Sequence, residues 1–232
     1  MRIDKFLIKT GIGNKKQVKT LLKNKQICVE DKVITNESFQ VSESSNVYYK
    51  ENNKLRKLEY EEYIYLMLHK PKNYVCATVD NLHKTVLELI TEHKERDLHI
   101  VGRLDIDTEG LLLITDDGTF THKVTSPKSN IAKKYYVEYE GTLISDATDQ
   151  VQKGILLDDG EYTKSGSLEL LSDNKAYITI SEGKFHQVKK MFSALGTKVV
   201  YLKRVQIGDL VLDIDLGQYR KLTQEDINKI LK

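Results

Sequence analysis

The chain holds only two cysteines, Cys28 and Cys76, far apart and outside any CxxC or Cys/His spacing. That excludes a disulfide framework and a zinc site, and points to reduced thiols in a cytoplasmic protein. Two prolines in 232 residues give no sign of long disordered linkers. No run of about 18 apolar residues occurs, so neither a transmembrane helix nor a membrane partner is expected. The opening MRIDKFLIKTGIGNKKQ lacks the apolar core and small-residue cleavage site of a signal peptide. The phosphate-cradling patterns GxGxxG and GxxxxGK[ST] are missing, as are H-x-x-x-H and HExxH spacings and any internal repeat. What remains, 40% hydrophobic and 30% charged residues, is the composition of an ordinary globular protein.

The net charge of +2 is unevenly spread. Residues 1–26 carry eight basic side chains against Asp4 alone, a local +7 that leaves −5 for the rest. A small basic module on a near-neutral body is a common way to hold a polyanion. Within it, Ile3, Phe6 and Leu7 follow helical spacing until Gly11 and Gly13 break the pattern. Asn14 can cap a second helix, with Gln17 as its capping-box partner and Val18, Leu21 and Leu22 as the buried stripe. Lys15, Lys16 and Lys19 then lie on or beside the exposed face. Ile27–Val29 and Lys32–Ile34, joined at Glu30-Asp31, read as a hairpin. The segments "RIDKFL", "GIGNKKQVKTLLKNKQICV" and "VEDKVI" together resemble the S4 RNA-binding domain. Where that family often has Ser-Arg, this chain has Asn14-Lys15-Lys16, which keeps the charge but not the arginine fork to phosphate.

Residues 44–60 are polar and poorly periodic and read as the module's last strand and a linker. A second domain is expected over 61–232. Strand-like runs at 74–79, 98–101, 111–115, 135–139, 166–171, 176–180, 198–201 and 208–212 mix irregularly with helical patterns at 85–93, 145–153, 185–195 and 223–231. This mixture predicts an α+β fold, with a mixed, mainly antiparallel sheet flanked by helices.

The stretch GRLDIDTEGLLLITDDG (102–118) crowds acids beside an apolar run. Asp105, Asp107 and Glu109-Gly110 approach an EF-hand opening, yet strand-like sequence stands where that motif needs helices. Asp107, Glu109, Asp116 and Asp117 suit solvated turns. Asp105 suits one less well. It lies between Arg103-Leu104 and a buried strand, where a carboxylate is costly unless paired or used.

The same stretch resembles the signature of RsuA-type ribosomal RNA pseudouridine synthases, G-R-L-D-x-x-[ST]-x-G-L-[LIV]-[LIV]-x-T-x-[DH]-G. "LHKPKNYVCAT" (68–78), "KKYYVEYEG" (133–141) and "ISEGKFHQVKKMFSALGTKVVYLKRVQIG" (180–208) match further family segments in order, with His69 and Asn73 as departures. The resemblance implies a cofactor-free and metal-free isomerase turning uridine into pseudouridine, with Asp105 as the catalytic carboxylate. A carboxylate in a closed pocket needs a cation to stay ionised, and the resemblance assigns Lys189 to that role. It assigns Tyr135 to stacking on the base and assisting proton removal. Arg103 would fill the space that the extruded uridine leaves, and Leu202 would close the pocket. Lys133, with Lys15, Lys16 and Lys19, would hold RNA. His186 and Gln187 are read as structural or RNA-contacting. Subfamily likeness points to 16S ribosomal RNA in a small-subunit assembly intermediate, acted on by a monomer. The alternatives are 23S RNA or a non-catalytic assembly factor.

Overall fold

The computed structural model describes residues 1–52, 54–126, 128–172 and 174–232. Asn53, inside the stretch read as strand and linker, falls outside them. The chain divides into two compact units, Met1–Ile64 with Ile90–Leu98, and Tyr65–Leu89 with His99–Lys232.

In the first unit, helices Ile3–Lys9 and Lys15–Lys23 pack over a sheet whose order is Lys32–Ile34, Ile27–Val29, Val47–Glu51, Lys54–Leu58. Ile3, Phe6, Leu7, Val18, Leu22 and Ile27 are fully or almost fully buried between these layers. The expected capping box forms. Asn14 accepts from the amides of Lys16 and Gln17, and the Gln17 side chain accepts from the Asn14 amide. Glu30 takes a left-handed φ of 50° in the tight hairpin turn. The stretch expected to end in a linker instead continues as a second hairpin, Val47–Glu51 with Lys54–Leu58, because Val47 and Leu58 supply inward-facing apolar residues at paired positions.

Residues 85–93 depart from their expected helix. Only Val86–Leu89 coil, as a 3-10 turn, and Ile90–Leu98 belongs to the first unit although the sequence reading put 61–232 together. Arg96 explains the excursion. Its guanidinium is buried and donates to the carbonyls of Lys9, Glu61 and Glu62 at 2.5–2.9 Å. Three carbonyls, one at the end of helix Ile3–Lys9 and two in the loop at 61–62, satisfied by one cation fix this segment where it lies.

The second unit is built on a nine-stranded mixed sheet among the described residues. Its main path runs Ser167–Leu170, Lys175–Ile180, Lys133–Gly141, Thr197–Ile207, Glu109–Thr115, Tyr65–Lys70, Tyr219–Lys221. Every pairing along it is antiparallel except one. Thr197–Ile207 and Glu109–Thr115 run parallel and meet only at Lys203 with Glu109 and Arg204 with Gly110. The Leu111–Ile114 run is buried on both faces, which is why it is apolar without alternation. Leu111 and Leu113 pack with Phe120, Val124 and Ile230 from helices Gly118–Thr125 and Gln224–Leu231. A third helix, Gln187–Ala194, lies on the sheet with Phe192 against the Tyr139 ring at 5.4 Å.

Candidate active site

A cleft of about 850 Å³ opens in the second unit beside the two-residue parallel junction. Its walls are the 101–108 loop, the 182–189 turn into helix Gln187–Ala194, and the inward side chains of Lys133, Tyr135, Leu202 and Arg204. Gly110 allows the junction. At φ +116°, its missing Cβ is replaced by the Arg204 backbone, on which any side chain would land.

The loop that carries Asp105 is held from beneath by Lys70, a residue the sequence reading passed over. Lys70 is fully buried, and its ammonium donates to the carbonyls of Thr108 at 2.8 Å, Asp105 at 3.0 Å and Pro71 at 3.1 Å, with Ile106 at 3.4 Å. Burial pushes the Lys70 pKa below the usual lysine value, against the pull of surrounding acidic groups. The flanks of the loop are strands, His99–Val101 and Glu109–Thr115, so the helices of an EF-hand are replaced by sheet.

The carboxylates of this stretch take unequal positions. Asp105 Oδ2 lies 3.1 Å from Lys189 Nζ, and Asp105 Oδ1 lies 3.6 Å from His186 Nε2. Lys189 is shared: it also donates to both oxygens of Asp107, at 2.7 and 2.9 Å. Burial opposes the charges of Lys189 and Asp107 alike. Their pairing overcomes it, holding Lys189 above and Asp107 below their ordinary values. Three acids expected in solvated turns are thus engaged. Besides Asp107, Glu109 accepts from the Tyr201 hydroxyl at 2.6 Å, and Asp117 caps helix Gly118–Thr125 while accepting from Tyr65 at 2.7 Å.

Tyr135 and Leu202 reach the cleft from adjacent antiparallel strands, both nearly buried. Behind Tyr135 stands Arg204, 3% exposed. Its Nε donates to Leu111 O at 2.8 Å, and its Nη1 lies 3.5 Å from Tyr135 Oη. Among the described residues its buried Nη2 has no partner. Lys133 lines the same wall and donates to Ile131 O at 3.0 Å. Burial, with the nearby charges of Arg204 and Lys164, pushes its ammonium down to about 8. Arg103 is exposed on the cleft's rim and, among the described residues, forms no ion pair. Lys190 is held by Asp159 at 2.6 Å. Glu182 ties the turn together, accepting from the Lys164 amide and the Gln187 side chain.

The structure therefore gathers Asp105, Lys189, Tyr135, Leu202, Lys133 and Arg103 about one cleft. Lys15, Lys16 and Lys19 lie on the second helix of the other unit, exposed. Lys70 and Arg204 complete the site and were missed, and Asp107, expected in a solvated turn, is instead paired with Lys189. A lysine within "LHKP" and an arginine within a strand carry no local sign of burial.

A carboxylate in the cleft of an α+β unit, in a chain that also carries a basic α-α-β module, points to a class of enzyme that acts on a polyanion such as RNA. The family described as RNA pseudouridylate synthase matches residues 64–194, and the S4 domain matches residues 1–47. The chain belongs to the RNA pseudouridylate synthase family. It is similar to the ribosomal small subunit pseudouridine synthase A of Vibrio cholerae, 41% identical over 235 residues and covering all of both chains. The Escherichia coli K12 protein of the same name is 38% identical over 234 residues, again covering both fully. A crystal structure of a pseudouridylate synthase superposes with a TM-score of 0.69 at 38% identity, over 99% of each chain.

Proposed function

We propose that this protein converts a uridine of small-subunit ribosomal RNA to pseudouridine, with Asp105 as its catalytic carboxylate. The observation that carries the reading is the setting of Asp105: a carboxylate at the edge of a cleft, fixed by backbone bonds to Lys70 and faced by Lys189 at 3.1 Å. Isomerisation breaks the bond from uracil N1 to ribose C1′, turns the base, and joins C5 to C1′. C5 loses a proton and N1 gains one, so the overall composition is unchanged. Attack of the carboxylate on C1′ and removal of the C2′ proton both require Asp105 as a carboxylate, and Lys189 is its partner at 3.1 Å.

The target uridine has to leave its stack to reach the carboxylate. Arg103 on the rim occupies the vacated space, and Tyr135 with Leu202 receives the flipped base. Lys133 contacts the RNA chain beside them. The S4-like module adds affinity through Lys15, Lys16 and Lys19, while the unit that holds the cleft carries the chemistry. The substrate is an assembly intermediate of the small subunit, and the enzyme acts as a monomer in the cytoplasm, in keeping with two free thiols.

Two measurements test this. Asp105→Asn should lower the rate of pseudouridine formation by about 10³-fold or more while RNA binding persists. A wild-type rate would remove Asp105 from the mechanism. Mapping pseudouridines in ribosomal RNA from cells with and without the gene should show one 16S position lost. Loss of a 23S position, or of none, would overturn the substrate assignment.

A further inference from the structure

Phe185 stands at the mouth of the cleft with 68% of its surface exposed. A lone exposed apolar residue needs no explanation, but this one is stacked. Its ring lies 3.8 Å, centroid to centroid and 21° from parallel, on the ring of His186. His186 adopts a left-handed φ of 52°, a conformation that non-glycine residues rarely take and that clusters at functional sites. Its Nε2 lies 3.6 Å from Asp105. The fold therefore places a pile of two rings beside Asp105, with the largely exposed Phe185 at its outer end.

Cations flank the pile. Lys190 Nζ lies over the Phe185 ring, 5.5 Å from its centroid, where an incoming base would displace it, and Lys184 precedes Phe185 in the chain. Both are also held by carboxylates, Lys190 by Asp159 and Lys184 by Glu161 at 2.8 Å. Gln187 accepts from the Lys184 amide at 2.9 Å and donates to Glu182, so the turn that presents the pile is internally braced.

We propose that the outer face of Phe185 is a stacking platform for the nucleobase next to the target uridine. This rests on the proposed function and adds a specificity-determining residue to it. Extruding a uridine leaves its neighbour without a stacking partner. An exposed ring two layers from Asp105 replaces that partner at a nucleotide's step from the reaction, outside the pocket that Tyr135 and Leu202 form. Stacking on an aromatic face tolerates any base but requires one. The platform therefore reads the presence of a base, and favours purines through their larger area.

The test uses the full chain carrying Asp105→Asn, so that binding is read without chemistry. The probes are short single-stranded RNAs with one central uridine, intact or with an abasic nucleotide on one side or the other. Phe185→Ala should weaken binding to intact RNA by about 5- to 150-fold, the range of one lost base–aromatic stack, and Phe185→Tyr should restore it. An abasic nucleotide on one flank should cost the Phe185 protein the same factor and cost Phe185→Ala nothing further. The proposal fails if Phe185→Ala binds intact RNA as well as its parent. It also fails if the substitution costs equally against both abasic RNAs, since Phe185 would then only support the His186 turn. Because the readout is binding, absence of isomerase activity in the unsubstituted enzyme would sink the proposed function and leave this result standing.

Discussion

Lys189 faces two carboxylates at once, and both line the cleft, Asp105 as the more buried of the pair. Asp107 competes for the same ammonium from a more exposed position. Lys133, on the wall of the same cleft, holds its proton less firmly than an ordinary lysine. Its ammonium is pushed down to about 8 by burial and by Arg204. If RNA contacts favour its charged form, affinity is complete below pH 8 and falls as pH rises through that value, since free protein then holds fewer protons than the complex. Measured RNA affinity should decline between pH 7.5 and 9, values chosen to bracket that pKa, and Lys133→Met should flatten the decline. A profile identical in both proteins would show Lys133 to be uninvolved. Asp105 was legible because its neighbours form a dense motif. Lys70 was not, because nothing in a sequence reveals that four carbonyls converge on one ammonium. Lys70→Met should lower stability by about 2–4 kcal/mol in urea unfolding, the loss of buried charge-assisted hydrogen bonds. It should also lower kcat more than it raises KM, since the loop bearing Asp105 loses its anchor. Unchanged kcat at a lowered midpoint would make Lys70 a matter of folding alone.

The strand Glu109–Thr115 is where element and chemistry meet. It sits between an antiparallel neighbour and a parallel one, so both its edges are paired, and its residues from Gly110 to Thr115 are buried. Its parallel contact depends on a glycine that leaves room for the Arg204 backbone. Gly110→Ala should cost roughly 3–4 kcal/mol, through steric overlap and a φ that alanine resists. The same change should reduce activity in whatever protein remains folded, because Arg204 lies behind Tyr135. Thermal unfolding midpoints test the first effect, and a midpoint equal to wild type would show that the junction yields. Elements of this kind were legible wherever apolar runs or alternation marked them. The helical pattern at 85–93 misled because its apolar residues serve two units, a division that local periodicity does not encode. Residues 44–60 misled in the opposite sense. Their hairpin buries only a few side chains, and mostly polar edges hid it.

At the scale of the whole molecule, positive charge is concentrated at one end of the sequence. The first 26 residues hold +7 and the remainder −5. Such a distribution draws polyanions to one unit and leaves choice of target to the other. Replacing Lys15, Lys16 and Lys19 together by alanine should weaken RNA binding at all sequences alike. The slope of log K against log salt should become shallower by up to about 3, fewer where a lysine is already paired, as Lys19 is with Glu37 at 3.6 Å. Anisotropy titrations at several salt concentrations would decide it, and an unchanged slope would move the phosphate contacts elsewhere.

The return of Ile90–Leu98 to the first unit has a topological consequence. Because the first unit is discontinuous in sequence, the backbone passes between units three times, at 64–65, 89–90 and 98–99. A protease that nicks any one passage leaves two covalent tethers intact, so the units stay joined until a second and third cut are made. The same arithmetic limits recombination. A chimera spliced at residue 64 inherits the carbonyls of Lys9, Glu61 and Glu62 without the Arg96 that caps them. The RNA-binding module can therefore be exchanged between relatives only as two segments carried over together.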